Sequence, residues 1–282
     1  MRVRPPHLAG YVLGSRLGGG PTADVFAAAD EATGRAWAIK VLRDDAAADS
    51  ANVQLFEREA RAGLRVRHPH LVHVVQASCD DEIPHIVMEL VPGRSLRTHL
   101  REAGWLRPSL VAAVGQHAAE ALAAVHAAGF VHGDVKPDNL HATPGQSATL
   151  LDLGFAHRPG RDEHVFGPGF VLGTANYIAP ELCDVPGDDG PPADVFSLGV
   201  TLFELLTGAV PYATGTVHET MIRHRDDQPD SLWNWQGNWP LGLATLVDRM
   251  LERDPADRPT AFEVAVELRS LFPRQSEVRW AG

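Results

Sequence analysis

The sequence predicts an α+β fold in which a small β-rich first part is followed by a larger, mainly helical second part. Three observations carry this reading. Short β-type runs dominate from Tyr11 to Val91, apolar spacing of three and four takes over after Pro92 and Gly93, and there is no internal repeat. In the first part the runs lie at residues 11–13, 24–26, 37–42 and 86–90, rich in Val, Ile, Phe and Trp. One helix is predicted among them over 52–65, where Val53, Phe56, Ala60 and Leu64 share a face and Glu and Arg occupy the rest. The second part predicts helices over 109–128, 194–207, 243–251 and 261–271, and short strands near Leu140 and Leu150. Pro108 and Ser109 supply a start signal for the first of these helices, and Gly129 supplies its stop. The Pro, Gly and Asp content of 184–192 reads as an exposed loop.

A chain of 282 residues is long enough to bury a large core without disulfide or metal staples. Its net charge of −11 argues against broad attraction to a nucleic-acid backbone or an anionic membrane, so no nucleic-acid partner is expected. Two cysteines, Cys79 and Cys183, lack metal-ligand spacing and fit a reducing cytoplasm. No apolar segment follows Arg2 and Arg4 as in a secretory leader, and the most apolar stretch, 199–210, is short and interrupted by Glu204. No membrane segment is therefore expected in this chain.

Only two lysines occur among 25 basic residues, Lys40 and Lys136. A compact ammonium on a flexible stem suits a phosphate oxygen differently from the planar Arg fork. Codon preference would explain the scarcity of Lys but not its placement. Both fall in segments that suit phosphate handling. Gly18, Gly19 and Gly20 lie between two predicted strands, where backbone N–H groups can approach phosphates, although a plain glycine hairpin fits that stretch about equally well. Lys40 sits near the end of a β-run, and Glu59 on the predicted helix offers a carboxylate to hold it.

The most specific segment is Val131-His132-Gly133-Asp134-Val135-Lys136-Pro137-Asp138-Asn139-Leu140, followed by Asp152-Leu153-Gly154. These stretches resemble the catalytic loop and the metal-binding turn of the protein kinase family, and the chain is most similar to bacterial Ser/Thr members. Gly173-Thr174 and Ala179-Pro180-Glu181 resemble the end of the activation segment, Asp194 opens the equivalent of the central helix, and Arg258 matches the arginine that pairs with the glutamate of Ala179-Pro180-Glu181. The resemblance covers residues 10–272 with seven motifs in family order. It implies the bilobal protein kinase fold, with an extension over 1–10, an N-lobe over 11–91, a C-lobe over 92–272 and a tail over 273–282.

The resemblance also implies roles, in a reaction that depends mainly on positioning and charge stabilisation. ATP and Mg²⁺ are the expected cofactors, and proteins bearing Ser or Thr hydroxyls the expected substrates. Lys40 would hold the α- and β-phosphates and Glu59 would orient it. Asp134 would accept the substrate hydroxyl proton, Lys136 would neutralise the transferring phosphoryl group, and Asn139 and Asp152 would hold two Mg²⁺ ions. Nucleotide contacts are expected from Leu17, Gly18, Gly19, Gly20, Val25 and Ala38, and from Met88 as gatekeeper with Glu89 to Val91 as the hinge.

Three positions depart from the family pattern: Ala23 replaces the third loop glycine, Leu153 the usual Phe, and Gly133 the usual Arg. In the family that Arg receives the phosphate of a phosphorylated activation loop. Between Leu153 and Gly173 there is also no Ser, Thr or Tyr, so control by phosphorylation of that loop is not expected. Thr174 is expected to order the peptide-binding end by a hydroxyl bond near Asp134.

Two other functions stand beside this one. A small-molecule kinase of the aminoglycoside or choline kinase type shares the His-Gly-Asp…Asn loop, but Ala179-Pro180-Glu181, Asp194 and Arg258 speak against it. A pseudokinase scaffold is supported only by Ala23 and Gly133. His68, His70 and His73 read as part of a turn rather than a metal site, Trp233, Trp235 and Trp239 as packing for a loop between helices, and Asp226, Asp227 and Asp230 as a solvated face.

Overall fold

The computed structural model describes residues 6–79, 82–143, 147–161, 175–183, 190–212, 215–235 and 237–272. The chain divides into two units, one comprising residues up to Arg67 together with Val72–Val91, the other His68–Leu71 with everything from Pro92 onward.

The first unit is an antiparallel five-stranded sheet of order β1-β2-β3-β5-β4. Its strands are β1 (Tyr11–Gly19), β2 (Ala23–Asp30), β3 (Ala36–Leu42), β4 (Val74–Ser78) and β5 (His85–Glu89). Side chains alternate across a strand, so β3 sends Trp37, Ile39 and Val41 into a core with Phe26, Ala28 and Val87. Its other face contributes Leu42 to a second core with Ala23, Ala46, Phe56, Ala60, Val74 and Ile86. Phe56 and Ala60 come from helix α2 (Ser50–Arg65), capped by the Asp49 side chain accepting from the Ala51 N–H. Burying an apolar side chain of this size contributes about 1.5–3 kcal/mol, which fixes the helix on that face. Lys40 shares the face that α2 covers, because it alternates with Ile39 and Val41.

The sequence reading misses two elements here. A four-residue helix, α1 (Asp44–Ala47), precedes α2, and β4 is too mixed in composition to register as a strand. Leu64, assigned to the apolar face of α2, is exposed instead, because the buried stripe runs through Phe56, Glu59, Ala60 and Gly63.

The second unit is built around α4 (Pro108–Ala127), which packs against α5 (Pro191–Thr207), α8 (Ala261–Leu271) and strand β8 (Ser147–Leu150). Pro at the first position starts α4 and the chain turns out at Gly129, as the sequence predicts. Strands β6 (Arg94–Ser95), β7 (Leu140–Thr143) and β8 form a small antiparallel sheet. Helix α5 is buried on nearly all sides and also contacts α7 (Leu241–Met250). It begins at Pro191, so the last two residues of the predicted 184–192 loop are its first turn; 184–189 lie outside the described residues.

Two further helices escape the sequence reading: α3 (Leu96–Ala103) buries Leu96 and Leu100 one turn apart but is only eight residues long and otherwise polar, and α6 (Val217–Asp226) buries no apolar side chain. The tryptophan segment lies between α6 and α7, where Trp235 packs edge-on against Phe203 of α5 at 5.5 Å while Trp233 stays exposed. His70 stacks on His117 of α4 at 3.9 Å, and no metal-holding cluster of three or more His, Cys, Asp or Glu occurs among the described residues. Nor is any described helix long and apolar enough to cross a membrane.

Candidate active site

In the first unit, β3 and α2 bring Lys40 and Glu59 together. Lys40 Nζ lies 2.7 Å from both carboxylate oxygens of Glu59, and both side chains are largely buried. A buried carboxylate and ammonium must be paired, and a symmetric contact leaves the ammonium in one orientation.

The glycine stretch forms the β1–β2 hairpin. Gly18 stands opposite Val25, and the Gly20 N–H donates to the Ala23 carbonyl at 2.9 Å. Beside it the Arg16 Nε and Nη2 both reach Asp24 Oδ1 at 2.7 Å, and a Cβ at Gly19 would collide with that carboxylate. This pair has no sequence signal beyond opposite charge eight residues apart. Ala23 sits in β2 opposite Leu42 with its methyl buried in the second core, so the departure from glycine is absorbed by packing.

Ala38 pairs with Met88 in the β3–β5 ladder; Met88 packs at the edge of the second core, and Glu89 beside it is exposed. Leu17 is exposed on β1, while Val91 is half-buried just after β5.

In the second unit the turn at His132 and Gly133 is fastened by Asp194, at the start of α5. Its Oδ2 accepts from the His132 N–H at 2.7 Å and its Oδ1 from the Gly133 N–H at 2.8 Å, while His126 Nε2 bonds Oδ2 at 2.8 Å. Burial alone would raise this carboxyl's pKa, but the hydrogen bonds and charge of His126 and the His132 N–H hold it below the ordinary value. Asp194 therefore stays an anion and pins two consecutive backbone donors.

Above this anchor, Asp134 Oδ2 receives Lys136 Nζ at 2.7 Å and Asn139 Nδ2 at 2.8 Å. Asn139 Nδ2 also donates to the Asp134 carbonyl at 2.8 Å. Among the described residues, both side-chain donors to Asp134 sit on Oδ2. With its nitrogen engaged twice, Asn139 presents its amide oxygen. Asp152 follows β8 and is the sole non-glycine residue with positive φ among those described, at 60°; its Oδ1 accepts from the Gly154 N–H at 3.1 Å. Asp tolerates this region better than most residues, and strain of this kind clusters at working sites. An amide oxygen and a carboxylate are hard donors that fit Mg²⁺, which usually takes few protein ligands and completes its shell with phosphate and water.

Gly133 has φ of 79°, and a Cβ there would lie 3.0 Å from the Phe155 carbonyl oxygen and 3.2 Å from Phe155 Cβ. The position is thus occupied by glycine for two local reasons, conformation and contact. The segment after Asp152 is held by the paired backbone of Val131 and His157, at 2.9 and 3.2 Å, and Arg158 lies 5.0 Å over the Phe130 ring. Leu153 is buried, as an apolar replacement for Phe requires. Gly173 and Thr174 lie outside the described residues, so the bond expected of Thr174 near Asp134 does too.

Further along, Arg258 meets Glu181 through two parallel bonds of 2.7 and 2.8 Å, with its guanidinium fully buried 4.9 Å over the Phe196 ring. The sequence reading anticipates this pair. It misses a second one: Arg97 of α3 pairs with Glu204 of α5, with Nη1 to Oε1 at 2.6 Å. Arg97 also reaches Asp138 and the Tyr177 hydroxyl. The residues are 107 apart in sequence and carry no shared pattern.

Comparison with known proteins agrees with this geometry. The family described as "Protein kinase domain" matches residues 11–267. Serine/threonine-protein kinase PkaA of Streptomyces coelicolor is 35% identical over 277 residues, covering 92% of this chain and 49% of that protein. Serine/threonine-protein kinase PknL of Mycobacterium tuberculosis is 34% identical over 249 residues, 88% of this chain and 62% of that protein. Serine/threonine-protein kinase PrkC of Bacillus subtilis is 29% identical over 257 residues, 91% of this chain and 39% of that protein. The chain thus spans about half the length of several of the curated relatives it matches. With the family match running from β1 into α8, the chain belongs to the protein kinase domain family.

Proposed function

We propose that this domain transfers the γ-phosphoryl group of ATP to Ser and Thr hydroxyls of proteins. The observation that carries the reading is the Asp134 carboxylate, bound on Oδ2 by both Lys136 and Asn139 and without a hydrogen-bond partner on Oδ1 among the described residues. Residues 11–91 form the nucleotide-gripping lobe and 92–272 the lobe carrying the transfer groups.

Lys40, oriented by Glu59, grips the α- and β-phosphates. Contacts to the rest of the nucleotide come from Leu17, Gly18, Gly19, Gly20, Val25, Ala38, Met88, Glu89 and Val91. Asp134 Oδ1 orients the acceptor hydroxyl and takes its proton as the oxygen attacks phosphorus. Lys136, on the same carboxylate, offsets charge on the phosphoryl oxygens in transfer. Asn139 through its amide oxygen and Asp152 through its carboxylate hold Mg²⁺, whose bound charge stabilises the phosphates. Two thiols, Cys79 and Cys183, fit a reducing cytoplasm.

The expected result is labelled phosphate from Mg-ATP on the protein itself or on a generic basic protein, and none on small alcohols. Asp134→Asn lowers transfer by at least about a hundredfold, the scale of a lost general base. Lys40→Arg lowers it as well, because the fork does not reproduce the ammonium's contact with Glu59. Full activity in Asp134→Asn would remove the base from this scheme.

Regulation belongs to the same proposal. Gly133 offers no receptor for a loop phosphate, and 153–173 offers no acceptor for one. Activity is therefore expected to be unchanged by phosphatase treatment. A large loss traced to a phosphorylated site within 153–174 would overturn this.

A further inference from the structure

Strand β1 lies at the edge of its sheet, with β2 as its neighbour, and its pairing register shifts twice, between Leu13 and Arg16 and between Arg16 and Gly18. Two interruptions so close together weaken the hold on the stretch that follows, Leu17 to Gly20. The other arm of the hairpin is better held. From Ala23 to Ala29, β2 pairs with β3 without a shift, and the Arg43 N–H donates to the Thr22 carbonyl at 2.9 Å.

One ion pair compensates on the β1 side. Arg16 stands opposite Phe26 and Gly19 opposite Asp24, and paired residues share a face, so the register shifts bring the Arg16 side chain to the face that carries Asp24. Its Nε and Nη2 each reach Asp24 Oδ1 at 2.7 Å. A Cβ on Gly19 would collide with both groups, so glycine at this position makes room for the pair to cross the strand. Ordinary surface ion pairs need no such accommodation from the backbone. The Asp24 side chain is only 8% exposed, and the nearby Arg43 is engaged by Asp45 at 2.7 Å, so Arg16 compensates this carboxylate.

The pair also leaves the opposite face clear. Val25 stands between Gly18 and Lys40, so these three share one face, whereas Arg16 and Asp24 lie on the reverse face with Phe26. The fastening can therefore act on Leu17 to Gly20 without occupying the space they cover.

We propose that Arg16 and Asp24 are positioning residues for the nucleotide, their ion pair fastening Leu17 to Gly20 against β2 and so slowing nucleotide departure. The inference rests on the reading of 11–91 as the nucleotide-gripping lobe. Neither side chain touches the reacting atoms. Because the Arg16 side chain is 42% exposed, salt weakens the fastening.

The test is stopped-flow release of the fluorescent analogue methylanthraniloyl-ATP with Mg²⁺, together with KM for ATP and for an acceptor peptide, all on the full chain. Arg16→Ala and Asp24→Asn each release the analogue roughly three- to tenfold faster and raise the KM for ATP in proportion, the range of a partly buried charge-assisted bond. The KM for peptide at saturating ATP is unchanged. Combining the two substitutions is no worse than either alone, because both remove one interaction. Arg16→Lys keeps the charge, loses the fork and falls between. Added salt speeds release from the native protein more than from Arg16→Ala.

Unchanged release in the folded single variants overturns the proposal. So do losses that add in the double variant, or a peptide KM that rises with the KM for ATP, the mark of general loosening. Should Asp24→Asn fail to fold, the half-exposed Arg16 carries the test through its Ala and Lys variants. Failure of the kinase reading is distinguishable: the native protein then binds the analogue and transfers no phosphate, while the variants still release it faster. A native protein that binds no nucleotide overturns both.

Discussion

Gly133 can be understood at the level of its own backbone. Its φ of 79° and the 3.0 Å approach of the Phe155 carbonyl disfavour any side chain, so the absence of arginine is accompanied by a local geometry that would have to change to accept one. Gly133→Arg is therefore expected to destabilise the protein by about 1–3 kcal/mol, the cost of a non-glycine residue in a left-handed, crowded position. Urea unfolding measures this, and a variant as stable as the native protein would show that the backbone there relaxes freely. At this scale most of the candidate site was legible in the sequence. Lys40, Asp134, Lys136, Asn139 and Asp152 carry distinctive residue types in a fixed order, whereas Arg97 and Asp24 look like any surface charge until their partners are known.

Among elements, legibility followed the length of the buried apolar stripe, which in the eight-residue α3 is only Leu96 and Leu100. Helices α2, α4, α5, α7 and α8 bury apolar stripes and are readable; α6 buries only Thr220 and His224, so no hydrophobic period marks it. Its one readable signal is the capping box of Thr216 and Glu219, which occupies the Glu219 carboxylate. Elements are also joined by pairs that no period reveals. Arg258 ties the turn at Pro180–Cys183 to the chain entering α8 and stacks on Phe196 of α5. It donates besides to the backbone carbonyls of Glu252, Pro192 and Arg253. Arg258→Met leaves Glu181 and those carbonyls without their donor and is expected to cost about 3–5 kcal/mol, read as a lowered urea midpoint. A cost under about 1 kcal/mol would place the pair with ordinary surface ion pairs.

For the whole molecule, histidines shape the response to acid. Burial pushes His117 down to about 4, with its stacked neighbour His70 acting in the same direction and Glu120 opposing. Burial likewise pushes His224 down to about 4, against the opposing bond to the Ile178 carbonyl. Both are neutral in the native state and take up protons on unfolding near the ordinary value of about 6.5. Their stabilising contribution is therefore complete above that value and is lost as pH falls towards 4. Each is worth roughly 2–4 kcal/mol over that window. Urea midpoints should fall steadily from pH 7 to 4.5, and His224→Phe should flatten part of the slope; an unaltered slope would remove His224 from this account.

The amino-acid order by itself determined the α+β class and the family and marked the candidate site residues, because periodicity and motif spacing are local properties of a chain. Tertiary structure alone decided which charges meet. Lys40 reaches Glu59 because β3 turns that side chain to the face α2 covers, and Asp194 pins the turn at His132 and Gly133 from 61 and 62 residues away. Arg97 finds Glu204 across 107 residues. A buried charge requires a partner of opposite sign, but only the packing of helices and sheet determines which one lies within reach.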